Sequence, residues 1–191
     1  GSWWSGMRGE TDIPHTMMRD GTPNGYAFIQ FKGVDYVIDW KVAGRPSDHR
    51  MHIHFPRDVP VDAKDAPLLS VNYFNGSEQT RVDYRILGVT SWKAMKKVQA
   101  PDPYFAKLSK RWERFENLGF REQWENTPEL KDVPFPGRDL TDPDPSTHLW
   151  QARIATPLEA GRHIIEVRVK DRYGRTFYEN KTIRLAAPAN K

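Results

Sequence analysis

Short runs with a period of two recur along this chain, broken by Gly, Pro, Asn and Asp, and that spacing sets the fold class. "MHIHF" (51–55) is followed by "PLLSVNYF" (67–74), where Leu69, Val71 and Tyr73 share a face. Asn75-Gly76 opens a turn, "RVDYRIL" (81–87) returns with Val82, Tyr84 and Ile86 inward, and "SWKAMKKV" (91–98) reads as the next strand. "HLWQARI" (148–154) and "RHIIEVRVKDRYGRTFYENKTIRL" (162–185) complete the set. The latter is a hairpin turned at Asp171–Gly174, with Ile165, Val167 and Val169 facing Phe177, Ile183 and Leu185. Seven or more short strands with turns this frequent predict a mostly β chain folded as an immunoglobulin-like antiparallel β-sandwich.

Two segments stand apart from that repeat. "GYAFIQFKGVDYVIDWKVAG" (25–44) holds two strand-like runs, Tyr26–Phe31 and Tyr36–Val42, around a turn at Lys32-Gly33. Both faces of this N-terminal β-hairpin are apolar, so it needs cover on both sides. "GRPSDH" (44–49) is the best linker, which divides the chain into a segment 1–45 and a sandwich 46–191. The second departure is "DPYFAKLSKRWERFENLG", a helix over about 102–118. Asp102 is its N-cap, Pro103 its first residue and Gly119 its stop, and Phe105, Leu108, Trp112, Phe115 and Leu118 form the apolar stripe expected to lie on the sandwich. The Pro-rich stretch 127–145 reads as an extended surface loop.

Composition excludes several classes. The 191 residues suffice for one large or two small domains. No run approaches the ~18 apolar residues of a membrane helix, and no basic start followed by an apolar stretch reads as a signal peptide. Cysteine is absent, which removes disulfides and thiolate zinc sites and leaves the compartment open. The net charge of +4 is spread among interleaved acids and bases, with no basic stripe for nucleic acid.

Candidate chemistry is sparse. The turn Gly21-Thr-Pro-Asn-Gly25 runs into a strand rather than a helix N-terminus, and Pro23 removes one amide donor, so it is scaffold and no phosphate cradle. Gly21 after Asp20 and Gly25 after Asn24 suit positive φ. His52 and His54 stand two apart and point to one face of a strand, where they could share a metal; no acid lies at a fitting distance, and the plain alternative is a solvent-facing strand. His148, at a strand entrance, is a further weak polar candidate, and His163 reads as a strand residue. Trp92, Trp112, Trp124 and Trp150 form a sugar-binding face if exposed together, against the commoner use of tryptophan as core.

"GSWWSG" (1–6), "IPHTMMRDGTPNGYAFIQFKG" (13–33), "VNYFNGS" (71–77), "APDPYF" (100–105), "PSTHLWQA" (145–152) and "HIIEVRVKDRYGRTF" (163–177) follow one another in an order that resembles the C-terminal region of bacterial calcineurin-like metallophosphoesterases. The resemblance implies an immunoglobulin-like module after a catalytic domain that binds two divalent metal ions and hydrolyses phosphate esters, in a periplasmic or extracellular parent. The family's metal signatures, Asp-x-His, Gly-Asp, Gly-Asn-His and Gly-His-x-His, are missing here, so no catalytic or metal-binding residue and no cofactor is carried over. By the same resemblance residues 1 to about 45 are the tail of the catalytic unit and the chain is part of a larger enzyme. Trp3, Trp4, Asp20, Tyr26, Phe28 and Trp40 are then the expected interdomain contacts, the catalytic domain is the expected partner, and the uncovered hairpin is a surface for weak homo-oligomers. A carbohydrate or cell-surface binding module is the alternative.

Overall fold

The computed structural model describes residues 18–61, 63, 65–116, 119–130, 142–155 and 157–187, without the side chains of residues 112, 114–116 and 120. The strands are β1 (Gly25–Lys32), β2 (Asp35–Val42), β3 (Met51–His54), β4 (Asp58–Pro60), β5 (Leu68–Tyr73), β6 (Arg81–Ile86), β7 (Lys93–Ala94), β8 (Lys96–Pro101), β9 (Pro145–Arg153), β10 (Gly161–Lys170) and β11 (Thr176–Ala186). Two helices, α1 (Pro103–Glu116) and α2 (Phe120–Glu125), fall between β8 and β9. The chain divides into two compact units, Gly1–Gly25 with Pro101–Pro145, and Tyr26–Ala100 with Ser146–Lys191.

The second unit is a β-sandwich. One sheet has the order β3-β5-β9-β8 and the other β4-β11-β10-β6-β7. The pairs β3/β5, β5/β9, β6/β7, β6/β10 and β10/β11 are antiparallel, and β4 on β11 is parallel. Taken in chain order, the first sheet reproduces the A-B-E-D arrangement of an immunoglobulin domain. The second contains its C-F-G strands, extended at both edges. The alternation expected from the sequence places Leu69, Val71, Tyr73, Val82, Tyr84, Ile86, Ile165, Val167 and Val169 in one core with Trp150 and Ile183. No cysteine ties the two sheets, and apolar burial holds the core cluster, at roughly 1.5–3 kcal/mol per large side chain.

The cross-strand partners in the last hairpin differ from those expected. Val169 faces Phe177, but Val167 faces Glu179 and Ile165 faces Lys181. Ile183 and Leu185 lie further along, opposite His163 and Gly161. The period of two fixed the face of each residue; the length of the 171–175 turn fixed its partner.

In the first unit, Asp102 caps α1 as expected: its Oδ1 accepts from the amides of Tyr104 at 2.9 Å and Phe105 at 3.0 Å. Phe105, Leu108 and Ser109 form a buried stripe at helical spacing. The Trp112 and Phe115 side chains and residues 117–118 lie outside the described residues, as does 131–141 of the Pro-rich stretch. Gly119, with φ +72°, is the N-cap of α2, an element the periodicity did not reveal. Arg19 accepts at its carbonyl from the Asp144 amide at 3.1 Å, and its side chain pairs with the Asp144 carboxylate at 2.9 Å. The Asp20 carboxylate accepts from Thr22 N at 2.9 Å, an Asx turn with Gly21 at φ +83°. Gly25 is not among the positive-φ glycines; it is the first residue of β1, so Asn24-Gly25 leads into a strand rather than a left-handed turn.

Candidate functional site

The β1–β2 hairpin forms a two-stranded sheet of its own, joined to neither sheet of the sandwich. It is exposed on both faces along β1 and into β2: Tyr26 is 51% exposed, Phe28 55%, Ile29 54%, Phe31 73% and Tyr36 45%. The rings associate with each other, Tyr26 with Phe28 edge-on at 5.1 Å and Phe31 with Tyr36 at 6.2 Å. An isolated two-stranded sheet is marginal in water, and an aromatic surface of this kind is the usual mark of an interaction site.

The hairpin is fastened to the sandwich through two residues in the middle of β2. Ile38 N donates to Tyr173 Oη at 3.0 Å, and Ile38 O accepts from Asn75 Nδ2 at 2.9 Å and from an Arg175 guanidinium nitrogen at 3.3 Å. Asp39 accepts from both terminal nitrogens of Arg50 and stands 3.6 Å from Arg175. Burial alone would push the Asp39 carboxyl up; the Arg50 hydrogen bond and charge, with Arg175 and the Trp40 amide, outweigh it and hold the group below its ordinary value. The two arginines stack over Phe177, at 4.5 Å for Arg50 and 5.4 Å for Arg175. Arg175 is in turn held by Asp171 at 2.7 Å. The backbone and a charged side chain of β2 are therefore both held against the sandwich.

Of the expected interdomain residues, Tyr26 and Phe28 lie on the exposed part, and Trp40 is half-buried on β2 with an indole N–H that finds no hydrogen-bond acceptor. Asp20 belongs to the Asx turn of the first unit. Trp3 and Trp4 lie outside the described residues. The residues that fasten the hairpin, Asp39, Arg50 and Arg175, carried no motif; their separation in sequence hid them.

The polar candidates separate. His148 is buried, with Nδ1 bonded to Asn72 Oδ1 at 2.7 Å and Ser146 Oγ at 3.3 Å, a satisfied interior histidine. The rings of His52 and His54 are 5.8 Å apart, whereas His52 Nε2 meets His49 Nε2 at 3.3 Å. His49 was missed because it sits in the linker, outside any alternating pattern. His163 is a strand residue, as expected, bonded to the Glu159 carbonyl at 2.9 Å.

The tryptophans are not presented alike. Trp150 is buried in the sandwich core, and Trp92 carries the guanidinium of Arg168 at 4.4 Å and that of Arg85 at 4.6 Å on its ring. Trp124 is half-buried on α2, and the Trp112 side chain lies outside the described residues. Among the described residues, no three His, Asp or Glu side chains converge as a metal cage. No described helix is long and apolar enough to cross a membrane.

No curated protein sequence matches the chain. Among solved structures, CopC from Methylosinus trichosporium OB3b is similar at 9% identity over 73% of this chain and 99% of that one, with a TM-score of 0.33, too low to carry an argument. The sequence model described as the C terminal of calcineurin-like phosphoesterase matches residues 1–177. With the match running from the aromatic hairpin through most of the sandwich, the chain belongs to the family of C-terminal regions of calcineurin-like phosphoesterases.

Proposed function

We propose that this chain is a non-catalytic module that docks on the catalytic domain of its parent phosphoesterase through the β1–β2 hairpin. The observation that carries the reading is the two-sided apolar exposure of Tyr26, Phe28, Ile29 and Phe31 on a sheet held to the sandwich at Ile38 and Asp39. A pair of strands anchored through one of them presents a preformed surface, which lowers the ordering cost of association. Hydrolysis would belong to the catalytic domain and its two divalent ions, since this chain carries none of the family's ligand signatures. Residues 1 to about 45 would then continue the catalytic unit in sequence. Without that domain, the same surface is available to a second copy of the chain.

The test is hydrogen exchange of the amides at 26–36, measured in the parent and in this chain alone. Protection that appears only in the parent supports docking. Equal exchange in both refutes it. A sugar-binding role is less well supported, because Trp150 is interior and Trp92 is overlaid by two guanidinium groups.

A further inference from the structure

The linker before β3 folds back so that His49 meets His52. Their Nε2 atoms are 3.3 Å apart. Two nitrogens bound at about 2.0–2.1 Å to one tetrahedral ion stand about 3.3–3.4 Å apart, so the pair already has the spacing of adjacent ligands. The rings are also held in place. Phe74 packs edge-on against His52 at 4.9 Å between centroids and lies 5.7 Å from His49. His52 is fixed on β3 by its register opposite Asn72. Ligands that need no rearrangement bind a metal with little ordering cost.

We propose that His49 and His52 form a two-imidazole site for a first-row divalent transition ion, copper or zinc, with its remaining positions open to water or to an external ligand. Imidazole nitrogen suits these two ions better than magnesium or calcium, which take oxygen. The site is bidentate, because no third His, Asp or Glu among the described residues completes a cage. Asp48 adds negative charge beside the pair, and Arg45 and Lys41 lie near it with the opposite sign. Arg45 and Lys41 repel a cation, so the site is one of moderate affinity and exchanges its metal.

The experiment titrates the full chain with zinc or copper alone, at neutral pH, by calorimetry and by the imidazole nitrogen shifts in NMR. One equivalent should bind, with the Nε2 resonances of both His49 and His52 moving together. His49→Asn and His52→Asn should each abolish that equivalent, and His163→Asn should retain it. The spectroscopic arm keeps the test valid if a variant folds poorly. Absence of binding, shifts at other histidines only, or binding that survives both substitutions would overturn the assignment.

Discussion

Gly21 lies against Asp102 so closely that a Cβ on Gly21 would stand 2.2 Å from Asp102 Cγ. The contact joins an Asx turn to the residue that caps α1, so one position couples a turn conformation to a helix start. Gly21→Ala should therefore damage both, through strain at φ +83° and through displacement of the capping carboxylate. We expect a loss of roughly 1–3 kcal/mol. Asp102→Ala, which removes the capping carboxylate, should lose about 1 kcal/mol. Urea unfolding followed by far-UV circular dichroism measures both. An alanine at 21 that leaves the midpoint unchanged would show that the contact is dispensable.

The ion pairs of Asp39 give a dependence on acid. Its carboxyl is held below the ordinary value of 3.8, so its contribution is fully present above pH 3.8 and is lost as pH falls through the lower folded value. Asp39→Asn should lower the thermal midpoint at neutral pH, and the difference from the parent sequence should close in strong acid. A difference that persists in acid would place its origin outside the charge.

Glu179 should act in the opposite sense. Burial, with help from Asp48 and against Lys181, pushes its carboxyl from 4.5 up to about 7. The folded chain then binds the proton more tightly than the unfolded one, so stability falls as pH rises from 4.5 to about 7, and the penalty is complete above that. Glu179→Gln should flatten this stretch of the profile and stabilise the protein at pH 8. A parallel profile in the variant would contradict the assignment.

The two tryptophans of the sandwich should separate by cost. Trp150 is 2% exposed in the shared core, and Trp150→Ala should lose about 3–5 kcal/mol. Trp92→Ala gives up two cation–π contacts on a half-buried ring, about 0.5–1 kcal/mol each. Thermal melts of the two variants test the ranking, and a larger loss at Trp92 would reverse it.

Local rules carried much of this fold. Asp102-Pro103 announced a helix start because capping depends on adjacent residues, and Val82, Tyr84 and Ile86 announced an inward face because side chains alternate along any strand. The Glu179–Val167 pairing was illegible because it depends on how many residues the intervening turn takes up. The His49–His52 contact and the Asp39–Arg175 pair were illegible for a related reason. Each is made by a bend or a return of the chain that leaves no periodic trace. The aromatic hairpin was legible as apolar on both faces, but its fastening at Ile38 and Asp39 was not.

The placement of α1 and α2 between β8 and β9 has a consequence for synthesis on the ribosome. Ser70 on β5 bonds Gln151 on β9 across 81 positions, and Arg85 on β6 bonds Glu166 on β10 across the same separation. At roughly 5–20 residues per second, β5 waits about 4–16 seconds for β9. Both helices are made within that interval, before β9 can pair. Each sheet needs a strand from the last third of the sequence, so neither can be complete until that third has been synthesised.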